Sequence, residues 1–199
     1  MCGLAGIYSH KPVATELYDS LIHLQHRGQD AAGITTYNKH MHKTKGLGLV
    51  RDIFTEKKIK RLKGNVGIAH TRYPTQGGFG HGEIQPFWTS VPYGIALAHN
   101  GNLTNYNELA KNITNNESRY LNTNSDTEVL LHLFAELLHD RNKHDNDKEF
   151  FDDLCSALEN IYETVHGAYS VVALVIGKGL VAFRDPHGIR PLVKGIRSN

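Results

Sequence analysis

Short apolar runs crowd both ends of this 199-residue chain and set the terms for its fold. CGLAGIY, GITTY, NVGIAH, YGIALAH, AYSVVALVIG, LVAF and PLVKGI are each apolar or β-branched and bounded by Gly, Pro or Asn. That pattern predicts strands. Three longer segments read as helices. ATELYDSLIHLQ sets Leu17, Leu21 and Leu24 on one stripe and stops before Gly28. SDTEVLLHLFAELLH repeats Val129, Leu130, Leu133, Phe134, Leu137 and Leu138 at helical spacing, and Ser125 with Glu128 matches a capping box. EFFDDLCSALENIYETVHG repeats the pattern and closes on Gly167, with RNKHDNDKE before it read as a solvated loop. Many strands with few helices predict an α+β domain with helices packed outside sheets.

Composition narrows the function. Lys and Arg total 22 against 20 acids, so the chain is near neutral and nucleic acid is not an implied partner. No apolar stretch approaches the roughly 20 residues of a membrane span, and no basic segment precedes the N-terminal apolar run as in a secretory signal. With only Cys2 and Cys155, a reducing cytoplasm is predicted rather than a disulfide framework. Cys155 falls beside Phe151, Leu154 and Leu158 and reads as a buried structural thiol. The 13 histidines are scattered; His40 and His42 form one HxH pair, but no metal-binding spacing occurs, so no metal site is predicted.

Four clusters could carry chemistry. Cys2 sits one residue from the N-terminus. Removal of Met1 would put a thiol and a free amine on one residue, with reference pKa values of about 8.5 and 7.7–8.0. Such a residue can supply both nucleophile and base. HNGNL follows the strand YGIALA, and Asn-Gly there predicts a turn that aims the Asn100 amide and the Gly101 N–H in one direction, as an oxyanion hole requires. HTRYPTQGG carries Arg72, Tyr73 and Thr75. Arginine matches a carboxylate with a planar fork, and the glycines that follow suit a lid. Asp126 opens the second helix, where a carboxylate is favoured by the helix dipole or could hold an ammonium. Each element alone has a structural explanation. Together, in this order, they describe recognition of an α-amino acid with an acyl side chain, and glutamine fits.

MCGLAGI, LQHRGQDAAGI, HTRYPTQG, LAHNGNLTN, SDTE and RDPHGIRPL resemble, over essentially the whole chain, the glutaminase domain of the amidophosphoribosyltransferase family. Related N-terminal-nucleophile amidotransferases share only parts: glucosamine-6-phosphate synthase usually shows RRGYDSAG and HTRWATHG, and asparagine synthetase a RDRFGIKPL-like segment. The resemblance implies a four-layer αββα sandwich. It implies Cys2 as the nucleophile that forms a γ-glutamyl thioester and releases ammonia, with its amine as base. Asn100 and the Gly101 N–H would form the oxyanion hole. Arg72, with Tyr73 and Thr75 nearby, would bind the glutamine α-carboxylate, Asp126 the α-ammonium, and Arg27 would support the N-terminal segment. No role falls to His81 or Glu83.

The family continues beyond the position of Asn199 into a phosphoribosyltransferase domain. Residues 1–199 are therefore expected to be a glutaminase domain cut near its C-terminal edge, with phosphoribosylpyrophosphate and Mg2+ bound in the missing part and a homotetramer at full length. No cofactor is expected in this domain; one branch of the family carries an iron–sulfur cluster, but Cys155 lacks partner cysteines. Two rivals remain: the same half-reaction with another acceptor, as in glucosamine-6-phosphate synthase, and an inactive domain retained as a binding module.

Overall fold

The computed structural model describes residues 1–73, 81–116, 119–139 and 147–197. It contains two four-stranded antiparallel sheets with helices on their outer faces. The first sheet has strand order β1-β4-β2-β3, from β1 (Gly3–Tyr8), β2 (Ala31–Asn38), β3 (His40–Leu47) and β4 (Val66–Arg72). The second runs β5-β6-β7-β8, from β5 (Phe87–Thr89), β6 (Ile95–Leu103), β7 (Gly167–Val175) and β8 (Gly179–Arg184). The helices are α1 (Ala14–Leu24), α2 (Val50–Ile53), α3 (Glu56–Ile59), α4 (Tyr106–Asn116), α5 (Asp126–His139) and α6 (Asp147–Thr164).

Three apolar clusters separate the layers. Leu17 and Leu21 of α1 pack with Val50, Ile53 and Leu62 against Ile34 and Ala69 of the first sheet. Val66, Ile68, Ala96, Ala98, Val172 and Leu174 fill the space between the sheets. Val129, Leu130 and Phe134 of α5 join Ile113, Leu154 and Ile161 over the outer face of the second sheet. The small residues of β6 explain why it can lie centrally: Ala96 and Ala98 face the first sheet while Ile95 and Leu97 face the helices, the alternation a strand buried on both faces requires. The result is the four-layer αββα sandwich expected from the family resemblance.

Several elements differ from the sequence reading. HNGNL is not a turn: Asn100 and Gly101 continue β6, paired with Ser170 and Tyr169 of β7, and the chain bends only after Leu103. The pairing partner β7 overrides the local turn preference of Asn-Gly. PLVKGI forms no strand; residues 191–197 carry no regular structure. The strand β3, HMHKTKGL, escaped notice because it is an edge strand whose lysines and histidines mask its period. It carries His40 and His42, and the described residues hold no cluster of three or more potential metal ligands. The helix α6 begins two residues before the predicted EFFDD segment and buries Phe150, Leu154, Ala157 and Ile161. Phe151 is instead exposed and Cys155 only half-buried, because the buried stripe lies one position earlier at Phe150. The remainder of the predicted RNKHDNDKE loop lies outside the described residues.

Candidate active site

The site forms where the N-terminal end of β1 meets the C-terminal ends of β4 and β6. Antiparallel pairing of β1 with β4 sets Gly3 opposite Thr71, which brings the N-terminus beside Arg72. There is no room for a larger residue at position 3, where a Cβ would lie 2.7 Å from Thr71 Oγ1 and 2.8 Å from Leu24 Cβ. Across the sandwich, the Cys2 N–H donates to Asn100 Oδ1 at 3.2 Å. The two sheets thus meet at the predicted nucleophile and the predicted oxyanion donor. With Oδ1 committed to that bond, Nδ2 is the end of Asn100 that can donate to a developing charge. From the turn after α1, Arg27 Nε donates to the Cys2 carbonyl at 3.1 Å.

Cys2 opens onto a cavity of about 280 Å³ that is also lined by Arg72, Tyr73, Gly101, Tyr106 and Asp126. This lies just below the ~300–1,000 Å³ typical of drug-sized ligand sites, a size suited to a small metabolite. Arg72 ends β4 and forms an ion pair with Glu83. Tyr73 is about half exposed at the rim. Thr75, and most of the glycine-rich stretch predicted as a lid, lie outside the described residues.

Asp126 is not an ordinary helix cap. Ser125 caps α5, its Oγ accepting the Thr127 N–H at 3.3 Å. The Asp126 carboxylate crosses to β6, where Oδ2 accepts the Leu103 N–H at 3.2 Å and Oδ1 lies 3.6 Å from His99 Nδ1. It therefore faces the cavity from the end of β6. The capping box is only half formed. Glu128 does not reach back to Ser125; its carboxylate accepts the N–H groups of Asn122 and Thr123, the Asn122 amide and the Thr123 hydroxyl, at 2.7–2.9 Å. These bonds, led in strength by the Thr123 hydroxyl, hold the Glu128 carboxyl below its ordinary range despite its burial. Glu128 thereby shapes the segment 122–125 at the cavity's far wall.

Beneath the cavity lie two buried histidines. Burial pushes His70 down to about 3, with His99 and Arg72 adding to the shift. Burial also lowers His99, with Arg190 acting in the same direction and Asp126 opposing it. Both shifts favour the neutral imidazole. Gln85 closes the floor: it is 7% exposed, and its Oε1 accepts the His99 N–H at 2.6 Å.

Sequence reasoning missed Glu83, Gln85 and Tyr106 as lining residues. Gln85 carried a faint signal, an amide wedged between Ile84 and Pro86-Phe87 in an otherwise apolar run.

Two stacked antiparallel sheets flanked by helices, with a cysteine just before the first strand, give the fold of the N-terminal-nucleophile class. A family model described as a glutamine amidotransferase domain matches residues 79–199, and the chain belongs to that family. It is 50% identical over 198 residues to an amidophosphoribosyltransferase of Pseudomonas aeruginosa, covering 99% of this chain and 39% of that protein. The amidophosphoribosyltransferase of Saccharomyces cerevisiae is 47% identical over 204 residues, covering all of this chain and 39% of the yeast protein. Among solved structures, the glutamine phosphoribosylpyrophosphate amidotransferase of B. subtilis, complexed with ADP and GMP, superposes with a TM-score of 0.76 at 32% identity, over 96% of this chain and 38% of its own. The chain thus spans about two-fifths of the length of the relatives it matches. No described helix is long and apolar enough to cross a membrane.

Proposed function

We propose that this domain is the glutaminase half of an amidophosphoribosyltransferase, and that Cys2, after removal of Met1, performs the chemistry. The carrying observation is the single small cavity onto which Cys2, Arg72 and Asp126 all open, within a glutamine amidotransferase domain. In this reading the Arg72 guanidinium receives the α-carboxylate of L-glutamine and Asp126 its α-ammonium, leaving the side-chain carboxamide pointing at Cys2.

The Cys2 sulfur then attacks the amide carbon. The proton it loses passes to the free α-amine, and from there to the leaving nitrogen, so ammonia departs and a γ-glutamyl thioester remains. Water cleaves the thioester to glutamate and regenerates the thiol. Asn100 Nδ2 and the Gly101 N–H stabilise the oxyanion in both steps; losing one such donor typically raises the barrier by about 2.7–4 kcal/mol. Met1 must go first, because while it is attached the Cys2 nitrogen is an amide whose lone pair is delocalised into the carbonyl and takes up no proton near neutral pH. Tyr73, at the cavity rim, borders the bound glutamine.

The acceptor half belongs to the remainder of the protein. There, ammonia would displace pyrophosphate from Mg2+-bound phosphoribosylpyrophosphate to give 5-phosphoribosylamine, entering purine synthesis, in a cytoplasmic homotetramer. No cofactor is proposed for residues 1–199.

The test is ammonia release from glutamine by the wild type and by Cys2→Ser. The hydroxyl is a far weaker nucleophile at pH 7, so the variant is expected to lose activity by at least about a thousandfold while staying folded. Ammonia release by C2S at a tenth of the wild-type rate would refute the mechanism.

A further inference from the structure

One charged residue lining the cavity, Glu83, has no part in the chemistry above. Arg72 Nη2 and Glu83 Oε2 form an ion pair whose side chains are only 11% and 19% exposed. Glu83 closes a 3-10 turn at His81–Glu83, and the residues that follow it are pinned on three sides. Ile84 is buried, and its carbonyl accepts Lys45 Nζ of β3 at 2.8 Å. Gln85 Oε1 holds the His99 N–H of β6. The Gln85 carbonyl presses on β2 at Gly33, where a Cβ would come within 2.1 Å of its oxygen. Glu83 thus extends from a backbone segment held between both sheets, with its carboxylate on Arg72.

The held backbone keeps the Glu83 carboxylate within reach of Arg72. A guanidinium presents its N–H donors in a rigid planar fork, so a carboxylate held against one terminal nitrogen bears on the plane of the whole group. We propose that Glu83 is a positioning residue for substrate recognition: by holding one terminal nitrogen of Arg72 it fixes the plane in which the fork meets the α-carboxylate of glutamine. The inference rests on the role given to Arg72 above. Glu83 touches neither the reacting sulfur nor the amide carbon, so it acts on binding rather than on the chemical step.

The test uses a glutamine-mimicking diazoketone, which alkylates a nucleophilic cysteine only after binding as an α-amino acid, beside iodoacetamide, which carries no α-carboxylate. Alkylation of Cys2 is followed by mass spectrometry as reagent concentration rises. Glu83→Gln keeps the size and removes the charge. It is expected to raise the diazoketone concentration for half-maximal labelling about tenfold, as loss of a charge-assisted hydrogen bond would, with the maximal rate unchanged. The iodoacetamide rate, which reports on Cys2 and the fold around it, should not move. Glu83→Asp should restore part of the loss, and in an Arg72→Ala background E83Q should have no further effect. A half-saturation in E83Q equal to or below that of the wild type overturns this inference alone, as does an additive effect in the R72A background. Failure of the wild type to show saturable labelling sinks the glutaminase reading and this inference together.

Discussion

Gly101→Ala is the change whose cost is best specified by the geometry. A Cβ at position 101 would lie 2.0 Å from the Ala168 carbonyl oxygen and 2.7 Å from Tyr169 Cα. Both are backbone atoms of the neighbouring strand, so no side chain can rotate out of the way. Ordinary carbon–oxygen contact needs more than about 3 Å, so β6 and β7 would have to part by roughly 1 Å. The partner strand is poorly placed to yield. Tyr169 is fully buried, its N–H donates to Asp185 Oδ2 at 3.3 Å, and its carbonyl accepts the Asp185 N–H at 2.8 Å. Overpacking of this kind typically costs about 1–3 kcal/mol and occasionally more; with backbone on both sides, about 3 kcal/mol is expected here. For a domain of this size that is a drop in Tm of roughly 6–12 °C. Activity should suffer more than stability, because Asn100 moves with Gly101, and a 1 Å displacement at a reacting centre can cost about a hundredfold in rate. Thermal unfolding and ammonia release, measured on one preparation, check both numbers. A G101A variant within about 2 °C of the wild type and of equal kcat would refute the packing argument and the oxyanion-hole placement together.

Acid should loosen the fold before any carboxylate titrates. His70 moves from 6.5 to about 3 on folding, so between those values the unfolded chain binds the extra proton and stability falls as pH drops, by up to about 1.4 kcal/mol per pH unit. His99 and His132 shift in the same direction. Urea midpoints should therefore decline between about pH 7 and 5, and a flat profile would contradict the neutral, buried histidines. Glu128→Ala removes an acceptor that serves four donors, and about 2–3 kcal/mol of stability should go with it. It should also raise KM for glutamine, because the 122–125 wall next to Asp126 loses its anchor; unchanged Tm and KM would remove Glu128 from both roles.

What the sequence could say about this fold depended on how local each cause is. The strands β4, β6 and β7 carry their own apolar period, and α1 and α5 their own stripes, so these elements were legible one at a time. The edge strand β3 was not, because its lysines serve the sheet's exposed margin and not its core. Asn100-Gly101 misled for a related reason: the dipeptide favours a turn locally, but pairing along the whole of β7 outweighs that preference. Glu128 was readable as a cap partner for α5, yet its carboxylate found four donors in the preceding loop. At the site, Cys2, Arg72 and Asp126 could be picked out because each is an unusual residue type at an element's end, and Asn100 because its amide follows an apolar run. Glu83 and Gln85 could not, since their partners Arg72 and His99 lie 11 and 14 residues away along the chain and meet them only once the two sheets are stacked.

Rapid acid quenching of the enzyme during turnover of glutamine, followed by peptide mapping, reads the covalent intermediate itself. The account predicts a glutamyl adduct on a peptide that begins at Cys2, with Met1 gone. An adduct on another residue, or full turnover by chains that still carry Met1, would contradict it.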